Sequence, residues 1–408
     1  MTKRIIIIGG GAAGMMAALS AKKNGGDVIL LERNDRIGKK LLATGNGRCN
    51  YTNRNLTINN YHGTNPKFTY SALSEFDVEK TIEFFERLGI TPAVEDNGKV
   101  FPLSFQASSM LDVLRYEIET QGIELVTDAQ VVEIKQGRKF TVVLKDKRTF
   151  EGHNVIIAAG GMALPSSGSD GNGYGLCKKL GHTITEVFPG LVQLKLESKF
   201  LKSLDGVKFL GEAGIYIDNK LILEDIGDIL FTSYGISGPP ILQLSRTALE
   251  YMNKNKNVEL RVSIIHTKTQ DELFEYLVER FKFMSNRSVD IGLIGLINKK
   301  LIIPILKEIK VDKNKKVSSL SKDEIRKLSQ ILTSWQFKII GSKSWGNAQV
   351  TAGGVNTDEV NNQTMESKIV KGLYIIGELL DIDGDCGGFN LQWAWSSGYI
   401  AGLNAANN

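Results

Sequence analysis

Cysteine and histidine are scarce in this chain: 408 residues hold three cysteines and four histidines. Cys49, Cys177 and Cys386 are odd in number and widely spaced, which excludes a disulfide framework and a zinc pattern. No two of His62, His153, His182 and His266 stand at metal-ligand spacing, so no metal site is expected and each reads as a surface or packing residue. Long apolar runs are also missing. No stretch of about 18 uninterrupted apolar residues occurs, so no membrane-spanning helix is expected. The apolar part of "MTKRIIIIGGG" is four isoleucines, too short for a signal peptide. It reads as a buried strand, and the cytoplasm is the expected location. A composition of 42% hydrophobic and 23% charged residues excludes a disordered chain.

The net charge of +5 is small but uneven. Residues 251–345 carry 19 Lys+Arg against 10 Asp+Glu, a local +9, which leaves −4 for the remainder. Such a stretch suits either a solvated lysine-rich helical surface or contact with RNA or another anionic partner.

At this length two or three domains are expected. Lys3–Ile8 reads as a strand, Gly9–Gly14 as a turn, Ala12–Lys23 as a helix and Asp27–Leu31 as a second strand. Two amphipathic helices follow between about 78 and 121, then an alternating hairpin turning at Gly137. The texture becomes β-rich after 191 and helical with a lysine face from 250 to 335. Strand and glycine vocabulary resumes after Gly341. The expected organisation is α/β, with a Rossmann-like domain from 1–190 plus 341–408. A β-barrel-like insert is expected over 191–249 with part of 331–350, and a basic helical insert over 250–335.

Chemistry concentrates in the glycines. In "GGGAAG" Gly9, Gly11 and Gly14 stand at GxGxxG spacing, after a strand and at the mouth of a helix. Gly9 permits the turn, Gly11 lets a pyrophosphate approach the backbone, and Gly14 lets the helix pack on the strand. The N–H groups of Ala12 and Ala13 open the helix, where the dipole favours phosphate. Glu32 ends the second strand and can accept from both ribose hydroxyls, which disfavours a 2′-phosphate. No second GxGxxG exists, so one resident dinucleotide is expected, FAD, with NAD(P)H as a transient electron donor. "IIAAGG", containing Ala159, Gly160 and Gly161, and "YIIGE", ending in Gly377 and Glu378, suit strands that recross an extended FAD. The helix opened by Gly388, Phe389, Asn390 and Leu391 can set free N–H groups against the flavin N1–O2 edge.

Under the family resemblance carried by the motifs quoted below, the loop "LLATGNGRCNYTN" is expected to run along the cofactor through Lys40, Gly45, Gly47, Arg48, Cys49 and Asn50. Arg48 is a candidate for a phosphate or the reduced flavin, and Asn50 for an Asx-type bond within the loop. Cys49 and Cys386 read as packing thiols rather than a redox pair. Arg33 and Val132 complete the expected cofactor-binding set. Tyr234, in "TSYGISGP", is the candidate proton donor, set against a plain packing role at a domain junction.

"GKKLLATGNGRCNYTN", "GSDGNGYGLCKKLGH", "LFTSYGISGPPILQLS" and "TAGGVNTDEVNNQTMESK…GLYIIGELLDIDGDCGGFNLQWAWSSGYIAG" resemble the signatures of the BaiN/YhiN-like flavoprotein family, in order over nearly the whole chain. The resemblance implies one FAD in a Rossmann domain, an inserted β-barrel and a small helical domain. It also implies an FAD-dependent oxidoreductase: a NAD(P)H-linked reductase of a conjugated C=C bond in a small molecule, an RNA-acting reductase forming dihydrouridine in ribosomal RNA, or an aminoacetone-type amine oxidase.

Overall fold

The computed structural model describes residues 2–95 and 97–407. It divides into two compact units, one formed by Met1–Gly190 with Trp345–Asn408 and the other by Leu191–Ser344.

The discontinuous unit is built on a five-stranded parallel sheet. Its strands are β1 (Arg4–Ile8), β2 (Asp27–Leu31), β3 (Glu124–Val126), β4 (Asn154–Ile157) and β5 (Leu373–Ile375), in the order β5-β4-β1-β2-β3. Ile5 faces Val28 on one side and Asn154 on the other. The isoleucines of β1 are all buried, as expected for a parallel strand covered on both faces. Helix α1 (Ala12–Lys23) is buried continuously from Ala13 to Ala21. An apolar helix of this kind needs cover on every side. The sheet supplies one side, and α2 (Phe389–Asn407) supplies another through two glycines. A Cβ at Gly398 would lie 2.5 Å from the Ala13 carbonyl oxygen, and one at Gly402 would lie 2.3 Å from that of Ala17. The pairing runs 398 to 13 and 402 to 17, so the helices are parallel.

The second unit is a closed barrel of six strands with helices sharing its core. Around the barrel the strands are Leu194–Glu197, Gly235–Ser237, Lys220–Thr232, Lys208–Ile217, Val258–Ser263 and Trp335–Ser342. "GEAGIYIDNKLILED" and "DILFTS" belong to one hairpin whose second arm is continuous through Thr232. Asp218 and Asn219, at φ +50° and +64°, make its tight turn. The stretch 250–335 is not purely helical, because Val258–Ser263 closes the barrel between its neighbours. The helices Gln270–Lys282, Lys299–Glu308 and Lys322–Thr333 bury Leu277, Ile305 and Leu328 in the barrel's own core and leave their lysines outside. They share one compact unit with the barrel instead of forming a third. Among the described residues no helix is long and apolar enough to cross a membrane.

Candidate functional site

The glycine turn after β1 uses each glycine differently. Gly9 has φ +108°, and a Cβ there would lie 2.4 Å from the Ala158 carbonyl oxygen. A Cβ on Gly14 would lie 1.9 Å from the Gly9 carbonyl oxygen, so the helix can approach the turn only without a side chain. Gly11 would meet nothing within 4 Å. It caps α1 with extended backbone and no side-chain cap, leaving the first-turn N–H groups of Ala12 and Ala13 without an acceptor inside the helix.

Glu32, 6% exposed, stands beside this opening. Its Oε2 accepts from the Gly10 N–H at 2.8 Å, and its Oε1 accepts from Asn34 N and Nδ2 at 2.8 and 2.7 Å. A carboxylate has about four acceptor directions, two on each oxygen, so Oε1 is filled and Oε2 keeps capacity for one further donor. Arg33 donates to the Gly168 carbonyl and pairs with Asp170, which draws the loop after β4 to the end of β2. Val132 sits at an irregularity of the hairpin, exposed, with its carbonyl accepting from Lys179 Nζ at 3.3 Å.

Strands β4 and β5 each run into glycines, as the sequence placed them. After β4, Ala159 leads into Gly160 at φ +71° and Gly161, whose Cβ would lie 2.3 Å from Thr351 Oγ1 and 3.0 Å from Glu378 Oε1. After β5, Gly377 at φ +66° would bring a Cβ within 2.9 Å of Ala13 Cβ, over the first turn of α1. Glu378 is held by the ammonium of Lys40 and by the Thr351 N–H at 3.0 Å. Lys40 and Glu378 thus act on each other inside the site.

The glycine–asparagine loop turns through left-handed backbone at Gly45, Asn46, Gly47 and Cys49. Arg48 reaches Glu95 at 3.0 Å and lies 4.3 Å from the centre of the Phe101 ring, which matches its charge within the protein. Cys49 is fully buried, and burial pushes its thiol up to about 12. Asn50 corrects an expectation: its Oδ1 makes no Asx-type bond. It is buried with no partner among the described residues, 2.8 Å from where a Cβ of Gly388 would be. An orphaned buried acceptor is costly and marks a place where a ligand donor belongs.

Gly388 has φ +99° and lies against the Thr52 carbonyl, which aims the start of α2 at Asn50. The N–H of Gln392 is the first in α2 to find the helical acceptor, Gly388. The N–H groups of Phe389, Asn390 and Leu391 precede it and carry the helix's positive end. The Asn390 side chain clamps Gly384 from both sides, at 2.8 and 2.7 Å. Trp393 and Trp395 are buried, and their indole N–H groups donate to the Gly377 and Tyr51 carbonyls, so they pack and brace the site.

The offset between the helices spaces the two openings. Gly398 lies nine positions beyond Phe389, whereas its neighbours Ala13 and Met16 belong to the first turn and a half of α1. At 1.5 Å per residue α2 starts roughly 10 Å ahead of α1. Two sets of open N–H donors therefore point the same way, one behind the other, with the Lys40–Glu378 pair and Asn50 beside the path.

Tyr234 belongs to the barrel unit, at a hairpin end, half-buried with Lys343 Nζ 4.5 Å from its ring centre. The sequence reading missed a different pair. His62, read as surface or packing, bonds Asp385 Oδ1 at 2.7 Å in the loop leading into α2. The two-residue strand holding His62 has no periodicity to announce it. His182 is also partnered, between Glu359 at 3.2 Å and Ser367 at 2.9 Å, in a buried lock whose serine oxygen accepts from the Ile369 and Val370 N–H groups. Among the described residues no cluster of metal-ligating side chains occurs.

The HI0933-like protein Rossmann domain family matches residues 3–404. The chain is 38% identical over 379 residues to a 3-dehydro-bile acid delta(4,6)-reductase of Clostridium scindens, covering 93% of this chain and 92% of that relative. It is 31% identical over 383 residues to a ribosomal RNA dihydrouridine synthase of Haemophilus influenzae, covering 92% of each. Among solved structures, the open conformation of a flavocytochrome c3 fumarate reductase aligns with all of this chain and 78% of its own, at 15% identity and a TM-score of 0.49.

Proposed function

The chain belongs to the HI0933-like protein Rossmann domain family, and from that premise we propose that it is an FAD-dependent oxidoreductase reducing a carbon–carbon double bond conjugated to a carbonyl in a small organic substrate. The BaiN/YhiN-like resemblance read from the motifs is borne out by the match and by the two relatives. Both relatives' names denote saturation of such a bond, in a bile acid or in uridine.

The observation that carries the reading is the pair of parallel helix starts with an orphaned acceptor at the second. The residues fit FAD. The α1 start and Gly11 offer donors and room for a pyrophosphate, and Glu32 Oε2 offers an acceptor for the adenosine ribose. Lys40 and Glu378 flank the interval that a ribityl chain would span. The α2 start offers donors to the N1–O2 edge of a flavin, and Asn50 Oδ1 an acceptor for its N3–H. When bound, FAD supplies a hydride to one carbon of the double bond. The chain's own part is to hold the ring edge with α2, favour negative charge there through the helix dipole, and deliver a proton to the other carbon. NADH or NADPH, visiting transiently, is the electron donor, and the cytoplasm is the place of action.

The test is purification for yellow flavin, reconstitution with FAD if colourless, and stopped-flow bleaching with NADH and NADPH before mixing with enones. Flavin retained and reoxidised by an enone faster than by air supports the reading. Failure to take up FAD overturns it. The +9 charge of residues 251–345 favours structured RNA as the alternative substrate carrier. In that case binding weakens steeply with salt, and a flat salt dependence removes it.

A further inference from the structure

The geometry points to His62 as the proton donor of the reduction, with Asp385 as the residue that positions its ring. This rests on the reading above, since it needs a flavin at the start of α2.

A short ladder and five hydrogen bonds fix the pair and tie it to that helix start. The backbone of Tyr61–His62 pairs with Asp383–Gly384 as a short antiparallel ladder, with His62 opposite Asp383. The Asp385 N–H donates to the Asn60 carbonyl at 2.9 Å, and Asn60 Nδ2 donates to Asp385 Oδ2 at 3.1 Å, leaving Oδ1 for His62. Asn390, in the first turn of α2, donates to the carbonyls of Gly384 and Asp385. Tyr61, next to His62, donates its hydroxyl to the Phe389 carbonyl at 3.0 Å. The imidazole is therefore fixed within one short loop of the N–H groups assigned to the flavin edge.

The environment suits proton delivery. Asp385 is 16% exposed and His62 is 33% exposed, so the carboxylate is the sheltered partner and the ring stays open to a ligand or solvent. Nε2 faces the carboxylate, which leaves Nδ1 to exchange a proton. The carboxylates on the segment packed against His62 are Asp385, bonded to the ring, Asp383, opposite it in the ladder, and Asp381, held by Thr64. Other acidic groups around this loop are poor donors: burial drives the Tyr61 hydroxyl well above its ordinary range and Cys49 up to about 12. Histidine, by contrast, changes charge near neutral pH.

The step balances. The carbon β to the carbonyl takes the hydride from reduced flavin as the C=C π bond breaks, placing negative charge on the carbonyl oxygen and the α-carbon. The α-carbon takes the proton from Nδ1 of His62, forming the second C–H bond. Neutral His62 is reprotonated from solvent, and reduced nicotinamide restores the flavin.

Two measurements test this. With 13C-labelled histidine, the ring of His62 is followed by NMR in the FAD-loaded protein, assigned by its loss in His62→Gln. Reduction of the flavin by dithionite should shift its titration midpoint by at least about half a pH unit. A midpoint indifferent to the flavin's redox state overturns the proposal, because the ring is then remote from the flavin. In stopped flow, His62→Gln should keep its FAD and its rate of reduction by the nicotinamide, yet slow reoxidation by 2-cyclohexen-1-one by about 100-fold or more. It should also remove the alkaline limb of the pH profile. Unchanged reoxidation with an unchanged profile overturns it. If wild-type protein is bleached but no enone reoxidises it while the His62 midpoint still responds to the flavin, the reductase reading fails and the placement of His62 stands.

Discussion

Gly11 and Gly14 differ in one respect that separates folding from cofactor binding. A methyl group at Gly14 would sit 1.9 Å from the Gly9 carbonyl oxygen. Two backbone segments would have to part, a cost of about 1–3 kcal/mol or more. A methyl group at Gly11 meets nothing within 4 Å, and the backbone there, φ −79° and ψ −172°, suits alanine. Reduced freedom of the unfolded chain favours the alanine by about 0.4–1 kcal/mol. Alanine is a poorer N-cap than glycine by a similar amount, so the two nearly cancel. For a chain of this size Gly11→Ala should therefore melt within about 2 °C of wild type without FAD. A bound phosphate needs that same open space, so FAD affinity should fall at least about tenfold, or ~1.4 kcal/mol. Thermal melts of FAD-free protein and flavin-fluorescence titration measure the two quantities separately. Gly14→Ala should lower the melting temperature in both forms. Undiminished FAD affinity in Gly11→Ala would falsify the assignment of the phosphates to the α1 start.

Asn50→Ala removes a buried acceptor that the protein leaves unsatisfied, so FAD-free protein should be as stable as wild type or up to about 1 kcal/mol more stable. FAD affinity should meanwhile drop several-fold; a fall in both refutes a ligand-directed role. Burial lowers the pKa of His182 below its ordinary value, so the folded state disfavours protonation and its contribution to stability is present above the unfolded pKa. That contribution is lost as the pH falls from the unfolded pKa through the folded one, and urea melts should show wild type losing more stability than His182→Gln over this acidic range. Cys49, pushed up to about 12, should resist iodoacetamide at pH 8 in native protein, and Cys49→Ser should keep full turnover; rapid labelling refutes its inertness.

The β1–turn–α1–β2 unit was legible because each segment is a local signal: four buried isoleucines, glycines with distinct steric duties, and an uninterrupted helix from Ala12. The barrel strand Val258–Ser263 was harder to see. Val258, Leu260 and Val262 are buried and alternate with Glu259 and Arg261, a strand signature lying inside a lysine-rich stretch dominated by helical periodicity. Asn50 broke a local rule because Gly388, more than three hundred residues away, sets its surroundings. His62 and Asp385 meet across 323 positions, so only the fold brings them together.

The packing of α1 on α2 also constrains how the protein is made. Helix α1 rests its Ala13 and Ala17 carbonyls on Gly398 and Gly402, which are translated nearly four hundred residues later. The barrel unit, by contrast, is one uninterrupted segment, Leu191–Ser344, that can fold while still tethered. Closing so long a loop adds entropy only logarithmically, so the delay costs time more than stability. Until synthesis reaches α2, the apolar α1 lacks one of its walls, and a nascent chain presents one open helix start without the other. The two helix starts come together only in chains synthesised through α2.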